Sequence, residues 1–309
     1  MTRVFTFPGQ GSQAVGMGKA LADASAAARE VFAEVDDALG QSLSQVIWEG
    51  PADALTLTAN TQPALMAVSL AAIAAMKEAG VTVDNSAGFV AGHSLGEYSA
   101  LAAAGSLSVA DAARLLRIRG EAMQSAVPVG EGAMAAILGL ELAQVEGLAA
   151  EASEAGVCDV ANDNGPGQVV VSGSKAGVEK AAELAKALGA RRALMLPVSA
   201  PFHCSLMQPA ADRMAEALAE VTLNAPSVPL IANVLAAPVS DPDEIRGYLV
   251  AQVTGRVRWR ESVLWMADNG VDAAFEIGAG KVLTGLAKRI APGIAASSIS
   301  TPDDIQTLS

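Results

Sequence analysis

The amino-acid sequence predicts an α/β fold, in which a parallel sheet is flanked by helices and a small subdomain of ferredoxin-like arrangement is inserted. Two observations predict it. Short apolar strands alternate with turns and helices over most of the chain, and a central segment changes to a β-α-β-β-α-β order. With 309 residues, of which 51% are hydrophobic and 17% charged, the chain can bury a large core.

The first part of the chain supplies the beginning of the parallel sheet. Strands are predicted at Arg3–Phe7, which the glycine-bearing loop PGQGSQ follows, and at Ser86–Ala91, which ends at a glycine. Alternation of such strands with helices is typical of a parallel sheet that is covered on both faces. The helical patterns lie at Ala26–Leu39, Pro63–Ala79, up to about Ala103, and at Ser108–Ser125.

The middle of the chain has a different order of strands and helices. Its strands are predicted at Ala133–Leu138, Val157–Asn162, Gln168–Ser172 and Arg192–Pro197, and its helices at Ala143–Glu154 and Gly177–Leu188. We therefore predict a ferredoxin-like small subdomain at 128–197, inserted into a large α/β catalytic subdomain formed by 1–127 and 198–309. Further strands of the large subdomain are predicted near Pro229–Ala232, Ala273–Ile277 and Ala295–Ile299.

Composition excludes several classes of function. The formal net charge is −13 and no basic run interrupts it, so nucleic-acid binding is not expected. Two cysteines, Cys158 and Cys204, do not make a disulfide framework. With two histidines and no Cys/His cluster, no metal site can be assembled from the sequence.

The sequence gives no membrane signal. The N-terminal MTRVFTFPGQ lacks the apolar region of a signal peptide. The longest apolar run, Ala64–Met76, has about 13 residues, whereas a membrane span needs about 20. We expect a buried helix there, no membrane association, and a cytoplasmic protein.

A G-x-S-x-G pattern, GHSLG at 92–96, lies between a predicted strand and the helix-forming segment EYSALAAA. Glycines two residues before and after Ser94 permit the tight strand-to-helix turn that exposes a nucleophilic hydroxyl in hydrolase-like α/β cores. The helix N-terminus that follows favours developing negative charge. The pattern therefore predicts that Ser94 is the nucleophile of a hydrolase-like core.

A serine hydroxyl needs a base, and the chain offers two histidines. His93 is adjacent to Ser94, and neighbouring side chains diverge on a sharp turn, so we expect His93 to pack beneath the turn. His203 lies in SAPFHCSLM, on a loop that opens a helix. His203 is therefore the predicted base.

Seven ordered motifs extend this pattern over the chain. They are FPGQGSQ (7–13), TQPAL (61–65), GHSLGEYSAL (92–101), RIRGEAMQ (117–124), ANDNGPGQVVVSG (161–173), PVSAPFHCSLM (197–207) and EIGAGKVLTGL (276–286). Together they resemble the malonyl-CoA:acyl carrier protein transacylase family of type II fatty acid synthesis across essentially the whole chain. The resemblance implies an acyltransferase that moves malonate from malonyl-CoA, through a malonyl-serine, to the phosphopantetheine thiol of acyl carrier protein, without a cofactor.

The resemblance also assigns roles to single residues. It implies that Ser94 is acylated and that His203 is its base. It implies an oxyanion hole from the backbone amides of Gln10 and Leu95. The backbone carbonyl of Gln252 is expected to orient the histidine.

Three further residues are assigned to the substrate by the same resemblance. Arg119 is expected to bind the free carboxylate of malonate, because a guanidinium can hold a carboxylate through two bonds. Helix geometry separates Arg117 from Arg119, so at most one of the two faces the pocket. Gln62 is expected near the path of the acyl and pantetheine groups, and Phe202 is expected to favour malonate over methylmalonate.

Two other functions stay open at this point. One is an α/β-hydrolase, an esterase or thioesterase with a Ser/His site, for which Asp159 and Asp163 stay candidates for the third acid. The other is a scaffold that binds acyl carrier protein without activity. An arginine in the acyl pocket argues against a hydrolase, and the intact Ser94/His203 pair argues against a scaffold.

A basic surface is predicted for the carrier protein. Residues 246–260 hold four arginines and no acid, and 281–289 add Lys281, Lys288 and Arg289. Carrier proteins are acidic, as the family resemblance implies, so an enzyme of net negative charge needs such a surface. Scattered solvated charges are the alternative.

Overall fold

A six-stranded sheet and a four-stranded sheet form the framework of the chain, of which the computed structural model describes residues 2–308. The strands are β1 Thr2–Phe7, β2 Phe89–Gly92, β3 Gly132–Leu138, β4 Cys158–Gly165, β5 Gln168–Ser174, β6 Arg192–Met195, β7 Leu230–Ile231, β8 Pro238–Val239, β9 Val271–Ile277 and β10 Ala295–Ile299.

Helices connect the strands and cover them. They are α1 Lys19–Ala24, α2 Ala26–Leu39, α3 Leu43–Glu49, α4 Ala52–Thr56, α5 Thr58–Glu78, α6 Val83–Ser86, α7 Gly96–Ala103, α8 Val109–Ser125, α9 Leu142–Ala152, α10 Lys175–Ala187, α11 Gln208–Ala219, α12 Pro242–Thr254, α13 Trp259–Asp268, α14 Val282–Ile290 and α15 Pro302–Gln306, with a 3₁₀ turn at Ser205–Met207.

The large sheet has the order β10-β9-β1-β2-β7-β8, and its first five strands run parallel. The predicted α/β class with a mostly parallel, helix-flanked sheet is thereby confirmed. The last strand, β8, is antiparallel to β7 and was not predicted. With two residues, β8 is too short to give a periodic pattern.

Side chains alternate between the two faces of the central strands. Phe5, Phe7 and Val90 point into one buried cluster, whereas Val4 and Ala91 point into a second cluster on the opposite face. Successive residues of a strand face opposite sides of a sheet, so both faces of the large sheet are buried. This explains why β2 has a continuous apolar sequence, FVAG, and why Val4 and Phe5 are adjacent apolar residues in β1.

Helix α5 forms the largest part of the core on one face. It begins at Thr58, before the predicted start, and contains Pro63 within it. In the part of the chain that the structure describes, it alone is long and apolar enough to cross a membrane, by length and composition only. However, 83% of its most apolar window is buried inside the protein. This burial is that of a core helix, as expected from the alanine-rich run.

The small sheet has the order β4-β5-β3-β6, and all its neighbours are antiparallel. Helices α9 and α10 pack on one face, and Met134, Ala161 and Val170 on the other face pack with Phe202. Backbone bonds also join β4 to Val257 of the large part. The division at 128–197 stays a prediction.

Candidate active site

Ser94 stands on the turn between β2, which ends at Gly92, and α7, which begins at Gly96. Its φ is 53°, in the left-handed region that side chains rarely adopt. A Cβ on Gly92 would lie 1.9 Å from the Gly96 carbonyl carbon, and one on Gly96 would lie 2.3 Å from the Phe7 carbonyl oxygen. The two glycines are therefore required for close packing of the turn, while the strained conformation falls on the serine.

His203 is the histidine that bonds the serine. Its Nε2 lies 2.7 Å from Ser94 Oγ, and its own φ is 57°. On the other side of the ring, Nδ1 lies 2.8 Å from the Gln252 carbonyl oxygen and 3.2 Å from that of Gly255. Two acceptors at Nδ1 assign its proton there, which leaves Nε2 free to accept the serine proton.

No carboxylate contacts the outer nitrogen of His203 within the described residues. Asp159 accepts bonds from the backbone and side chain of Ser205. Asp163 pairs with Arg260 at 2.8 Å. The carbonyl of Gln252 therefore stands where a hydrolase triad has its acid.

His93 is bonded to a residue other than Ser94 and packs beside Trp259. Its Nε2 lies 2.8 Å from Asn164 Oδ1, and its ring centre lies 5.7 Å from that of Trp259. Burial lowers the pKa of the His93 imidazole. Its hydrogen-bonding nitrogen is thus committed to Asn164.

Arg119 projects from α8 to Ser94. One terminal nitrogen donates to Ser94 Oγ at 3.1 Å and to Gln252 Oε1 at 2.7 Å, and the other donates to Gln62 Oε1 at 2.8 Å. The adjacent Gly120 permits this approach, since a Cβ there would lie 2.6 Å from Ala59 of α5. Close crossing of α8 and α5 places Arg119 beside Gln62.

The other two arginines of α8 point elsewhere. Arg117 donates to Asn60 and Gln41, and Arg114 pairs with Asp111 at the surface. Position 119 is thus the inward one, as the resemblance implied.

The charge of Arg119 is buried without an ion pair. The side chain is 1% exposed, its three acceptors are uncharged, and no carboxylate lies within ion-pair distance among residues 2–308. Its Nε has no acceptor either. Burial lowers the pKa of the guanidinium, but an arginine stays protonated in proteins. An anion that reaches this site would therefore find an uncompensated cation.

Burial also governs the base. Desolvation, and second the charge of Arg119, lower the pKa of His203 to about 3. The imidazole is therefore neutral near pH 7, which is the form that accepts a proton.

A cavity of about 190 Å³ opens beside these groups. Ser94 and Arg119 lie on the side of the large sheet, and Met134, Val170 and Phe202 lie on the side of the small sheet. The remaining lining residues are Gln10, Gln62, His93, Leu95, Met123, Asn162, Asn164, Leu196, Val198 and His203. The cavity thus has an apolar wall and one charged end.

The two amides that the resemblance assigned to an oxyanion hole are both at this cavity. Leu95 follows Ser94 on the turn, and Gln10 lies on the loop after β1. Within the described part of the chain, neither backbone N–H donates to a protein acceptor. Both are therefore free to donate to a substrate oxygen.

Two residues that sequence reasoning missed hold the turn from below. Asn233 Oδ1 accepts from the Ser94 N–H at 2.8 Å, and its Nδ2 donates to the Gly92 carbonyl at 2.6 Å. Glu97 accepts from the Asn233 N–H and from Gln252 Nε2. Burial raises the pKa of Glu97 to about 8, while these bonds and Arg119 oppose the shift. A glutamate three residues after the serine, in the first turn of α7, was the available signal for Glu97, and Asn233 gave none.

The predicted basic surface is largely paired. Arg256 bonds Glu146 at 2.8 Å, Arg258 bonds Glu261, and Arg260 bonds Asp163. Glu146 and Asp163 come from distant segments and Glu261 lies three residues after Arg258, and these acids reduce the positive charge of the surface. The role of this surface in binding the carrier protein stays a prediction. Lys281 and Lys288 are exposed and have no acidic partner within 2–308.

Comparisons with known proteins give one consistent result. A family model described as "Acyl transferase domain" matches residues 4–291. Malonyl CoA-acyl carrier protein transacylase of Escherichia coli (strain K12) is 48% identical over 298 residues, which are 96% of this chain and 96% of that protein.

Solved structures agree with the sequence comparison. Acyl-carrier-protein-S-malonyltransferase from Bartonella henselae is 59% identical with a TM-score of 0.98, over 100% of this chain and 98% of that chain. A type II PKS acyl-carrier protein in complex with its malonyl-transacylase matches at 41% identity and a TM-score of 0.96, over 99% of this chain and 98% of that chain.

Proposed function

This chain belongs to the malonyl CoA-acyl carrier protein transacylase family of acyl transferases, and we propose that it moves a malonyl group from malonyl-CoA to Ser94. The second acceptor is the phosphopantetheine thiol of an acyl carrier protein, in fatty acid biosynthesis. CoA enters as a substrate, so the scheme needs no metal and no organic cofactor. A cytoplasmic location is part of the proposal, because both reaction partners are water-soluble.

The uncompensated charge of Arg119 carries this proposal. A side chain that is 1% exposed and lacks a carboxylate partner gains most from a ligand that brings one. Malonate brings a free carboxylate at the end of a short acyl chain. With that carboxylate on Arg119, the thioester carbon can reach Ser94 Oγ, since Arg119 already lies 3.1 Å from the same oxygen.

The first half-reaction follows from the positions of the groups. Ser94 Oγ gives its proton to His203 Nε2 and attacks the thioester carbon. The backbone N–H groups of Gln10 and Leu95 donate to the carbonyl oxygen as it becomes negative. When the carbon–sulfur bond breaks, the CoA thiolate takes the proton from His203, and malonyl-Ser94 remains.

The second half-reaction is the reverse with another thiol. The carrier thiol gives its proton to His203, attacks the ester carbon, and expels the Ser94 oxygen, which recovers the proton. A thiol has a pKa near ~8.5 and is easily expelled as thiolate. The CoA thiolate that leaves in the first half-reaction therefore needs little acid assistance, whereas the Ser94 oxygen that leaves in the second takes back the proton from His203, whose ring the neutral carbonyl of Gln252 orients.

Gln62 and Phe202 complete the proposed acyl pocket. Gln62 accepts a bond from Arg119 through its Oε1, and its Nε2 donates to Met123 Sδ at 3.7 Å, so Gln62 acts through the arginine. Phe202 packs against Met134 and Val198 at the apolar wall. The proposal also divides the chain into two subdomains, because the cavity lies between the two sheets. The large subdomain is formed by 1–127 and 198–309, and the small one by 128–197.

The test is the covalent state of Ser94. The protein is mixed with malonyl-CoA, and intact mass and peptide mapping follow the adduct, with Ser94→Ala as control. A malonyl group on Ser94 that transfers to added acyl carrier protein supports the proposal. Rapid release of free malonate would indicate a hydrolase, absence of an adduct a scaffold, and an adduct that persists in Ser94→Ala another nucleophile.

A further inference from the structure

We propose that Glu97 is a positioning residue that sets the acyl preference of the site, because its carboxyl group fixes which end of the Gln252 amide faces Arg119. This inference rests on the proposed function and adds a residue to it.

The Gln252 side chain lies between three groups. Its Nε2 donates to the Ser94 carbonyl at 2.9 Å and to Glu97, and its Oε1 accepts from Arg119 at 2.7 Å. A flipped amide would put its NH₂ against the guanidinium and its oxygen against a carbonyl. The amide orientation therefore follows from its neighbours, of which Glu97 is the one that can change from acceptor to donor by a near-isosteric substitution.

Glu97 also supports the serine from its other oxygen. That oxygen accepts from the Asn233 backbone N–H, and the Asn233 side chain bonds the backbone on both sides of the turn, at the Ser94 N–H and the Gly92 carbonyl. One carboxyl group thus contacts the residue that aims Arg119 and the residue that holds the left-handed Ser94.

Water cannot replace these contacts. Glu97 and Asn233 are each 1% exposed, and Gln252 is fully buried. A donor placed opposite a donor here stays unsatisfied or forces a partner to rotate. In Glu97→Gln, one of the two acceptor oxygens becomes an NH₂ group, which, unlike the hydroxyl of a protonated Glu97, has no lone pair that can accept a bond. If the new oxygen keeps the Asn233 bond, the new NH₂ faces Gln252 Nε2, and relief comes from rotating the Gln252 amide, which turns its NH₂ toward Arg119.

The consequence is specific to the acyl donor. Arg119 loses its shortest acceptor and shifts, so the carboxylate of malonate meets a misplaced guanidinium. Acetyl-CoA has no free carboxylate, so its acyl group makes no contact with the guanidinium that the shift could weaken. We expect Glu97→Gln to lower the ratio of malonyl to acetyl acylation rates of Ser94 by about 10- to 100-fold, the effect of one bond to a charged group. A role in folding alone would slow both donors equally.

The experiment measures acylation of Ser94 by malonyl-CoA and by acetyl-CoA, with rapid quenching and intact mass, in a matched set of variants. Glu276→Gln is the control, because Glu276 on β9 is also 1% exposed and accepts two backbone N–H bonds, from Leu283 and Thr284. This control is expected to keep the wild-type ratio.

A second variant tests the link through the amide. Gln252→Met retains the carbonyl that bonds His203 but removes the amide, and should lower the ratio as Glu97→Gln does. Adding Glu97→Gln to it should cause no further loss, since both act through one contact. A ratio within about twofold of wild type in either single variant, or independent addition of the two effects, overturns the proposal. If the wild-type protein takes no malonyl group on Ser94, the proposed function itself fails, which is a different result.

Discussion

Replacing Arg119 by alanine tests whether the buried cation selects malonate. The guanidinium is 1% exposed and its three bonds go to uncharged acceptors, so its charge is compensated only when the substrate carboxylate arrives. Removing one partner of a buried charge pair costs about 3–5 kcal/mol. At ~1.4 kcal/mol for each tenfold change, Arg119→Ala should lose roughly 10²–10³ in kcat/KM for malonyl-CoA.

Acetyl-CoA provides the internal comparison. It lacks the carboxylate, so its loss is limited to the bond that Arg119 donates to Ser94 Oγ, and we expect its kcat/KM to change by less than about tenfold. Arg119→Lys should recover only part of the malonyl activity. A lysine restores the positive charge, but its ammonium group cannot make two parallel bonds to a carboxylate.

The assay is acylation of Ser94 by each donor, followed by intact mass. Arg117→Ala is the matched control, since Arg117 lies on the same helix but bonds Asn60 and Gln41. Equal slowing of both donors by Arg119→Ala, or an equal loss in Arg117→Ala, would refute the assignment of Arg119 to the carboxylate.

Four further predictions follow from the same contacts. Because the pKa of His203 is lowered to about 3, the acylation rate should be flat between about pH 5 and pH 7, and a tenfold fall per pH unit below about 6.5 would contradict a neutral buried base. Because burial raises the pKa of Glu97 to about 8 from 4.5, the folded state holds a proton that the unfolded chain releases, so this contribution to stability is present at low pH and is lost as pH rises through 8. In denaturant unfolding, the free energy of unfolding of Glu97→Gln should therefore rise relative to that of the wild type from about pH 5 to pH 8. A difference between the two proteins that does not change with pH would count against the raised pKa. Phe202→Ala should raise the ratio of methylmalonyl to malonyl acylation by about tenfold, since a pocket discriminates one methyl group by ~1–3 kcal/mol, and an unchanged ratio would remove Phe202 from the acyl pocket. Lys281→Glu with Lys288→Glu should raise KM for the carrier protein at low salt and leave acylation by malonyl-CoA unchanged, with Lys180→Glu on α10 as the charge control.

Local patterns were sufficient to select Ser94 and His203, whose side chains the structure places 2.7 Å apart. A glycine-flanked serine between a strand and a helix has few other uses, and two histidines left one choice of partner. Strands of the large sheet were predictable because both faces are buried, which produces continuous apolar runs. The two-residue β8 lies below the length at which any pattern forms.

Contacts between distant segments were beyond local patterns. Helix periodicity shows that Arg117 and Arg119 diverge but does not say which one faces inward, and that choice came from the family resemblance. The charges of Arg256 and Arg258 are paired with Glu146 and Glu261. Glu146 lies on the remote helix α9, so its pairing gave no signal in the sequence, whereas Glu261 lies three residues after Arg258, a spacing at which helical side chains can pair. Asn233 lies in a loop whose sequence gives no sign that it reaches the Ser94 turn.

Both reacting residues have left-handed backbone conformations, with φ of 53° at Ser94 and 57° at His203. A side chain in such a conformation typically costs about 1–3 kcal/mol, and a folded domain is stable by only about 5–15 kcal/mol. The backbone conformations of these two residues thus lower the free energy of unfolding by an amount that is large relative to its total. Glycine would relieve the strain at either position but would remove the chemistry. Substitutions that raise the thermal stability of this enzyme are therefore to be sought outside the turn and the histidine loop.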